Sequence, residues 1–161
     1  MYANRWLSLY ERENQMSYVA CDSGVMVVPV TADREVILIY EPTAYADDEK
    51  TLFVPSGKIN EDESAEESAN RELQEEIGLA AGRLDVLAEV EPWAKYLKSS
   101  LTIFLARDLT PSERDGDEAY DIEQKQVPLD SFETLIAEGS LTDTTVISAL
   151  YLARQRLANE P

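Results

Sequence analysis

The stretch GKINEDESAEESANRELQEEIGL, residues 57–79, decides the reading of this chain. Its second half is a helix by pattern. Ser64 stands as the N-cap and Glu67, three positions on, completes a capping box. Ala65, Ala69, Leu73 and Ile77 recur every four residues as one apolar stripe. Gly78 is placed to end the helix in the left-handed conformation. On this helix Glu72, Glu75 and Glu76 fall at i, i+3 and i+4, so they share a face with Cβ atoms about 5–6 Å apart. Like charges at that spacing oppose helix formation, and three together need a reason. A hard divalent cation supplies it, because Mg²⁺ prefers carboxylate oxygens and retains several waters. Arg71 lies beside them and can pair with Glu63 or Glu67. Gly57 permits a backbone turn that a side chain would forbid, and such a turn brings a carbonyl, such as that of Ser56, toward the same metals.

Composition narrows the chemistry around this helix. The chain has 161 residues, the length of one ordinary domain, with 32 acidic residues against 14 basic ones and a formal charge of −18. It contains no histidine, which removes Ser-His-Asp and Cys-His nucleophile systems, HExxH zinc sites and histidine bases. Its one cysteine, Cys21, forms neither an internal disulfide nor a Cys-rich zinc site, and fits a reducing compartment. Carboxylates, hydroxyls, a few Lys and Arg, and hard metal ions remain. A nucleic-acid partner needs a basic footprint that this sequence lacks, and anionic membrane surfaces are disfavoured for the same reason. The longest apolar run, Gly24 to Val30, is too short to span a bilayer, and the N-terminus has no signal-peptide organisation. The expectation is a soluble cytoplasmic protein.

Outward from the helix, residues 24–30 (GVMVVPV) read as a buried central strand and residues 35–40 (EVILIY) as a second, joined through Ala32-Asp33-Arg34 as a hairpin. Residues 5–11, 16–22, 51–55, 84–90, 100–107 and 122–127 are further strands. Residues 109–121 form an acidic loop. Helices are expected at 130–138 and 143–158, the latter with Val146, Leu150, Ala153 and Leu157 facing inward. Strands and helices mix without strict alternation, which points to an α/β fold with a mixed sheet covered by helices. Neither a repeat nor a low-complexity linker divides the chain. It reads as a single domain, 1–161, with a short N-terminal strand region at about 1–22.

The segment from Gly57 to Leu79 resembles the Nudix box, GX5EX7REUXEEXGU, where U is a bulky aliphatic residue. Gly57, Glu63, Arg71, Glu72, Leu73, Glu75, Glu76, Gly78 and Leu79 match every defined position. This chain's residue frequencies make a chance match rarer than roughly one in a million. The resemblance implies a Nudix fold, an α/β/α sandwich with a central mixed sheet. It also implies a hydrolase acting on a nucleoside diphosphate linked to another moiety, with Mg²⁺ or Mn²⁺. By position, Glu72 and Glu76 are the main metal ligands, Glu75 is a further ligand or water contact, and the Ser56 carbonyl is an additional ligand. Arg71 and Glu63 hold the loop-helix-loop together.

Residues 24–41, the Pro55-Ser56-Gly57 entry and the pattern from Val127 to Arg154 are similar to the ADP-ribose pyrophosphatase group and its ADP-compounds hydrolases. That likeness implies cleavage of ADP-ribose to AMP and ribose 5-phosphate. Diadenosine oligophosphates, NADH and oxidised dNTPs stand as alternative substrates, and a non-catalytic nucleotide sensor as a rival use of the domain. Relatives place a carboxylate in the acidic loop to bind a metal or activate water. Glu118 is that candidate here, with Asp117 and Asp121 behind it, against the plainer reading of a solvated loop. Tyr40 stands where the group commonly has Arg, and is either an adenine-stacking ring or a core or sheet-edge aromatic. Glu41, Lys98 and Ser99 complete the substrate-binding candidates, the lysine reading more readily as surface solvation. Relatives usually dimerise through the N-terminal region, and Trp6, Tyr10 and Tyr18 are the residues that would form a homodimer interface.

Overall fold

The computed structural model describes residues 2–4, 7–13, 16–46, 49–116 and 120–160, with backbone alone at position 2. Among them the chain runs β1 (Tyr2–Ala3), β2 (Leu7–Glu11), β3 (Ser17–Cys21), β4 (Gly24–Pro29), β5 (Glu35–Pro42), β6 (Lys50–Phe53), β7 (Ser56–Lys58), α1 (Ala65–Ile77), β8 (Leu79–Val90), β9 (Leu97–Lys98), β10 (Leu101–Pro111) and β11 (Glu123–Pro128). A 3-10 turn (Leu129–Ser131), α2 (Glu133–Ala137) and α3 (Thr144–Ala158) follow.

The central sheet has the order β7-β4-β10-β8, with β4 and β10 parallel and the other neighbours antiparallel. A second, antiparallel sheet has the order β11-β5-β6, and a third, β1-β2-β3-β9, gathers the N-terminal strands. Strand alternation sends side chains to two faces, and both are apolar in β4, β5 and β10. Val25, Val27, Ile37, Ile39, Phe104 and Ala106 pack with Ala69, Leu73 and Ile77 of α1. Met26, Val28, Leu38, Ile103 and Leu105 turn the other way, onto Val146, Ala149, Leu150 and Ala153 of α3. The result is the expected α/β/α sandwich around mixed strands. Each such buried Val, Leu, Ile, Met or Phe side chain contributes roughly 1.5–3 kcal/mol of transfer free energy, which anchors α1 firmly enough to carry unfavourable charge on its other side.

One expectation is corrected. β4 and β5 do not form a hairpin ladder. A single bridge, Val30 to Val36, joins them, closed by the Arg34 N–H donating to the Thr31 carbonyl at 3.0 Å. A strand has two edges, and those of β4 are occupied by β7 and β10 while those of β5 are occupied by β6 and β11. The turn therefore hands the chain from one sheet to the next. β8 and β10 also run further than their alternation suggests. They pair antiparallel from Leu101 opposite Val90 out to Pro111 opposite Leu79, so the partner strand satisfies backbone groups that polar side chains leave unmarked in the sequence.

Candidate active site

Helix α1 begins and ends as its sequence dictates. The Glu67 N–H donates to Ser64 Oγ at 3.2 Å and the Ser64 N–H donates to Glu67 Oε2 at 2.8 Å. Gly78 caps the far end at φ 69°, ψ 25°, a conformation costly for any residue with a Cβ. Glu66 and Glu67 in the first turn suit the helix dipole. The last turn carries no basic residue, so Glu75 and Glu76 sit at the negative end without local relief. Their relief comes from one turn earlier in the helix for Glu75 and from the β7 backbone for Glu76.

Arg71, in α1 itself, is the hub on the acidic face. Its Nε donates to both oxygens of Glu63 at 3.1 Å, its Nη1 to Glu72 at 2.7 Å and to Glu75 at 2.9 Å, and its Nη2 to the Lys58 carbonyl at 2.9 Å. Of the two pairings open to Arg71, the one with Glu63 is observed, while Glu67 is engaged in the capping box. Burial works against the Arg71 charge, but Glu72, Glu63 and Glu75 outweigh it and raise its pKa further above the ordinary arginine value. Burial likewise opposes ionisation of Glu63, yet hydrogen bonds from Ser68, Arg71 and Asn60 hold its pKa below the usual carboxylate value.

Glu72 and Glu76 are 5% and 6% exposed, rare burial for carboxylates. Glu76 accepts from the Ser56 N–H at 3.1 Å. Glu72 lies against Gly57, where a Cβ would overlap its carboxylate. Gly57 is thus required for close approach, not for a turn. It sits in β7 opposite Val25, and its φ is not positive. Ser56, expected to contribute its carbonyl, is seen to meet the site through its N–H.

These groups open on a cavity of about 740 Å³. Ser56, Glu72, Glu75, Glu76 and Arg71 all line it, as does Glu41. Tyr40 is not brought there. It follows Val36 and Leu38 onto the α3 side and packs against that core, while Glu41 follows Ile37 and Ile39 onto the α1 side. Lys98 and Ser99 are not among the lining residues. Lys98 lies in β9 beside β3, and the Ser99 hydroxyl donates to the Asp22 carbonyl at 3.0 Å. Glu118 and Asp117 lie outside the described residues, as does Trp6. Among the described residues no three acidic side chains converge as a ready metal cage. Arg71 draws Glu72 and Glu75 to itself, and Ser56 draws Glu76. The donor chemistry is nonetheless that of a hard-cation site: buried carboxylate oxygens in a cradle that a methyl group would fill.

Phe53, Tyr120 and Arg114 are among the cavity residues that the sequence reading did not single out. Phe53 and Tyr120 line it, the Tyr120 hydroxyl donating to Glu41 Oε2 at 2.7 Å. Arg114 lines it too, with Nε 3.3 Å from Glu75 Oε1. Arg114 did carry a signal, being the single base in the otherwise acidic stretch 109–121. Phe53 and Tyr120 carried none, because both could as well be core or surface aromatics.

The NUDIX domain family matches residues 22–147, most of the chain and every residue lining the cavity just described. The chain belongs to the Nudix family. It is similar to the ADP compounds hydrolase NudE of Escherichia coli (strain K12), with 33% identity over 159 residues, 99% of this chain and 82% of that protein. A crystal structure of an ADP compounds hydrolase superposes with a TM-score of 0.82 at 30% identity, covering 98% of this chain and 90% of that one. A shorter likeness, 50% identity over 42 residues, links 26% of this chain to 25% of an RNA pyrophosphohydrolase of Teredinibacter turnerae. The Nudix assignment makes the chain an enzyme, a Nudix pyrophosphohydrolase, with the expected Nudix fold. Among the described residues no helix is long and apolar enough to cross a membrane.

Proposed function

We propose that this enzyme hydrolyses the pyrophosphate bond of an ADP-linked compound, foremost ADP-ribose, to AMP and ribose 5-phosphate. The observation that carries the reading is the gathering of Glu72, Glu75 and Glu76 with Ser56 and Gly57 at one cavity. Glu72 and Glu76, with Glu75 and the Ser56 carbonyl, would hold Mg²⁺ or Mn²⁺. The metal, when bound, neutralises phosphate oxygens and lowers the pKa of a coordinated water. Arg71 acts by positioning, since it ties three of the box carboxylates to the Lys58 backbone. Glu118 is the proton acceptor for the attacking water, a role open to a loop carboxylate in a chain without histidine. Phe53, Tyr120 and Glu41 offer an aromatic and hydrogen-bonding wall for the nucleoside.

Likeness to a hydrolase of ADP compounds over nearly the whole chain supports ADP-linked substrates over oxidised dNTPs or RNA ends. The same reading takes residues 1–161 as one domain, and the enzyme as cytoplasmic and homodimeric. Exposed Leu9 and Met16 and the stacked Tyr10–Tyr18 pair of the N-terminal region support the dimer.

The test is AMP and phosphate release from ADP-ribose, diadenosine triphosphate, NADH and 8-oxo-dGTP with Mg²⁺ or Mn²⁺. ADP-linked compounds should be preferred, and Glu76→Gln should abolish turnover while leaving the fold intact. Wild-type rates in Glu76→Gln would remove the metal-site assignment, and activity on the dNTP alone would remove the substrate assignment.

A further inference from the structure

We propose that Arg114 binds a phosphate of the substrate and, in doing so, releases Glu75 to the metal site. This inference rests on the pyrophosphatase reading above and adds to it a residue outside the Nudix box.

The argument starts from charge. Among the described residues six carboxylates line the cavity, Glu41, Glu63, Glu72, Glu75, Glu76 and Asp115, against three cations, Lys58, Arg71 and Arg114. An anionic substrate entering such a cavity needs a cation with donors to spare. Arg71 has all three of its nitrogens engaged and its side chain is 12% exposed. Lys58 is held at 2.6 Å by Asp22. Arg114 differs from both. Its side chain is 54% exposed, and among the described residues its ion pair is through Nε, to Glu75. Its two terminal amino groups have no protein acceptor among the described residues, which leaves the fork of the guanidinium open for a phosphate.

Its position is fixed rather than adrift. The Ser112 N–H donates to the Gly78 carbonyl at 2.9 Å, Gln74 Nε2 donates to Ser112 Oγ at 2.6 Å, and the Arg114 N–H donates to the Gln74 carbonyl at 3.3 Å. The segment is therefore pinned to the end of α1, and Arg114 reaches back over the acidic face from there. Glu75 is the link. Its Oε2 accepts from Arg71 and its Oε1 faces Arg114, so both oxygens are held by arginines. A phosphate oxygen attracting Arg114 frees Oε1 of Glu75 for a cation. Substrate and metal then assist each other through one ion pair.

The experiment compares wild type, Arg114→Gln and Arg114→Lys in two measurements. Steady-state kinetics on ADP-ribose with Mg²⁺ should show KM raised roughly 10- to 100-fold in Arg114→Gln with a smaller change in kcat, as loss of a charge-assisted bond implies. Arg114→Lys should recover part of it. Mn²⁺ titration without substrate should show binding tightened about threefold in Arg114→Gln, because an exposed competing ion pair is gone. A purely structural role would weaken both. An unchanged KM, or weaker Mn²⁺ binding in a folded variant, overturns the proposal. Should wild type turn over no ADP-linked compound, the substrate reading fails by itself. Binding of α,β-methylene-ADP with Mn²⁺ then decides for Arg114, and equal affinity in wild type and Arg114→Gln overturns it.

Discussion

The carboxylate of Glu72 rests on the backbone of Gly57, fifteen residues earlier, so closely that a methyl group at position 57 would occupy the space of its oxygens. Two box positions distant in sequence are thus one steric unit. The β7 backbone, paired with β4, is the floor on which the α1 carboxylate is seated.

Gly57→Ala should therefore act through Glu72. The carboxylate must swing away and lose its 2.7 Å bond to Arg71, in a position only 5% exposed. The expected stability loss is about 1–3 kcal/mol, as for overpacking elsewhere. Turnover should fall by about 100-fold or more, because a metal-holding carboxylate is displaced. Urea denaturation and kcat on ADP-ribose check the two parts. A fully active Gly57→Ala enzyme would show that Glu72 does not work from this position.

The acid limb of the stability profile should depend on Glu63. Its pKa is lowered in the folded state by Ser68, Arg71 and Asn60 despite burial, so the unfolded chain binds the proton more readily. The stabilisation is fully present above the unfolded pKa, about 4.3 for a free glutamate. It is lost as pH falls through the lower folded value. Melting temperatures of wild type and Glu63→Gln should differ most near neutrality and converge below about pH 4. A gap that widens on acidification contradicts the pairing of Glu63 with Arg71.

If Glu118 accepts the proton, Glu118→Gln should lower kcat by roughly 100- to 10,000-fold, the range for general-base removal. Melting temperature and Mn²⁺ affinity should stay near wild type. A kcat within a few-fold of wild type would assign proton transfer to another carboxylate of the 109–121 loop, with Asp121 the next to change.

The helix was legible in the sequence because its signals are local. Ser64, Glu67 and Gly78 act within a few residues of the turns they control, and the stripe Ala69, Leu73, Ile77 needs no knowledge of its partner. The two-sided burial of residues 24–29 was legible for the same reason. Strand partners were not. Nothing between Val30 and Val36 says that each strand's edges are claimed by β7, β10, β6 and β11, the last of which lies far along the chain. In the sequence Gly57 signals conformational freedom, whereas its role is contact with Glu72, a distinction that needs the helix in place. Arg114 lay in view as one base among acids, but its target became visible only once the loop was pinned to Gln74 and Gly78.

The pair Tyr40 and Glu41 gives the most direct test of face against function. They are neighbours on β5, and alternation sends them to opposite sides. Tyr40 packs toward the α3 core, whereas Glu41 lines the cavity and accepts from the Tyr120 hydroxyl at 2.7 Å. Tyr40→Ala should lower stability by about 1–3 kcal/mol through lost packing and leave KM for ADP-ribose close to wild type. Glu41→Gln should leave the melting temperature nearly unchanged, since the pair is exposed, and raise KM by roughly 3- to 10-fold if it touches the nucleoside. Equilibrium unfolding and KM on the same two variants give four numbers that must fall in this crossed pattern. A Tyr40→Ala enzyme with intact stability and a raised KM would restore that ring as an adenine contact and reverse the assignment of faces.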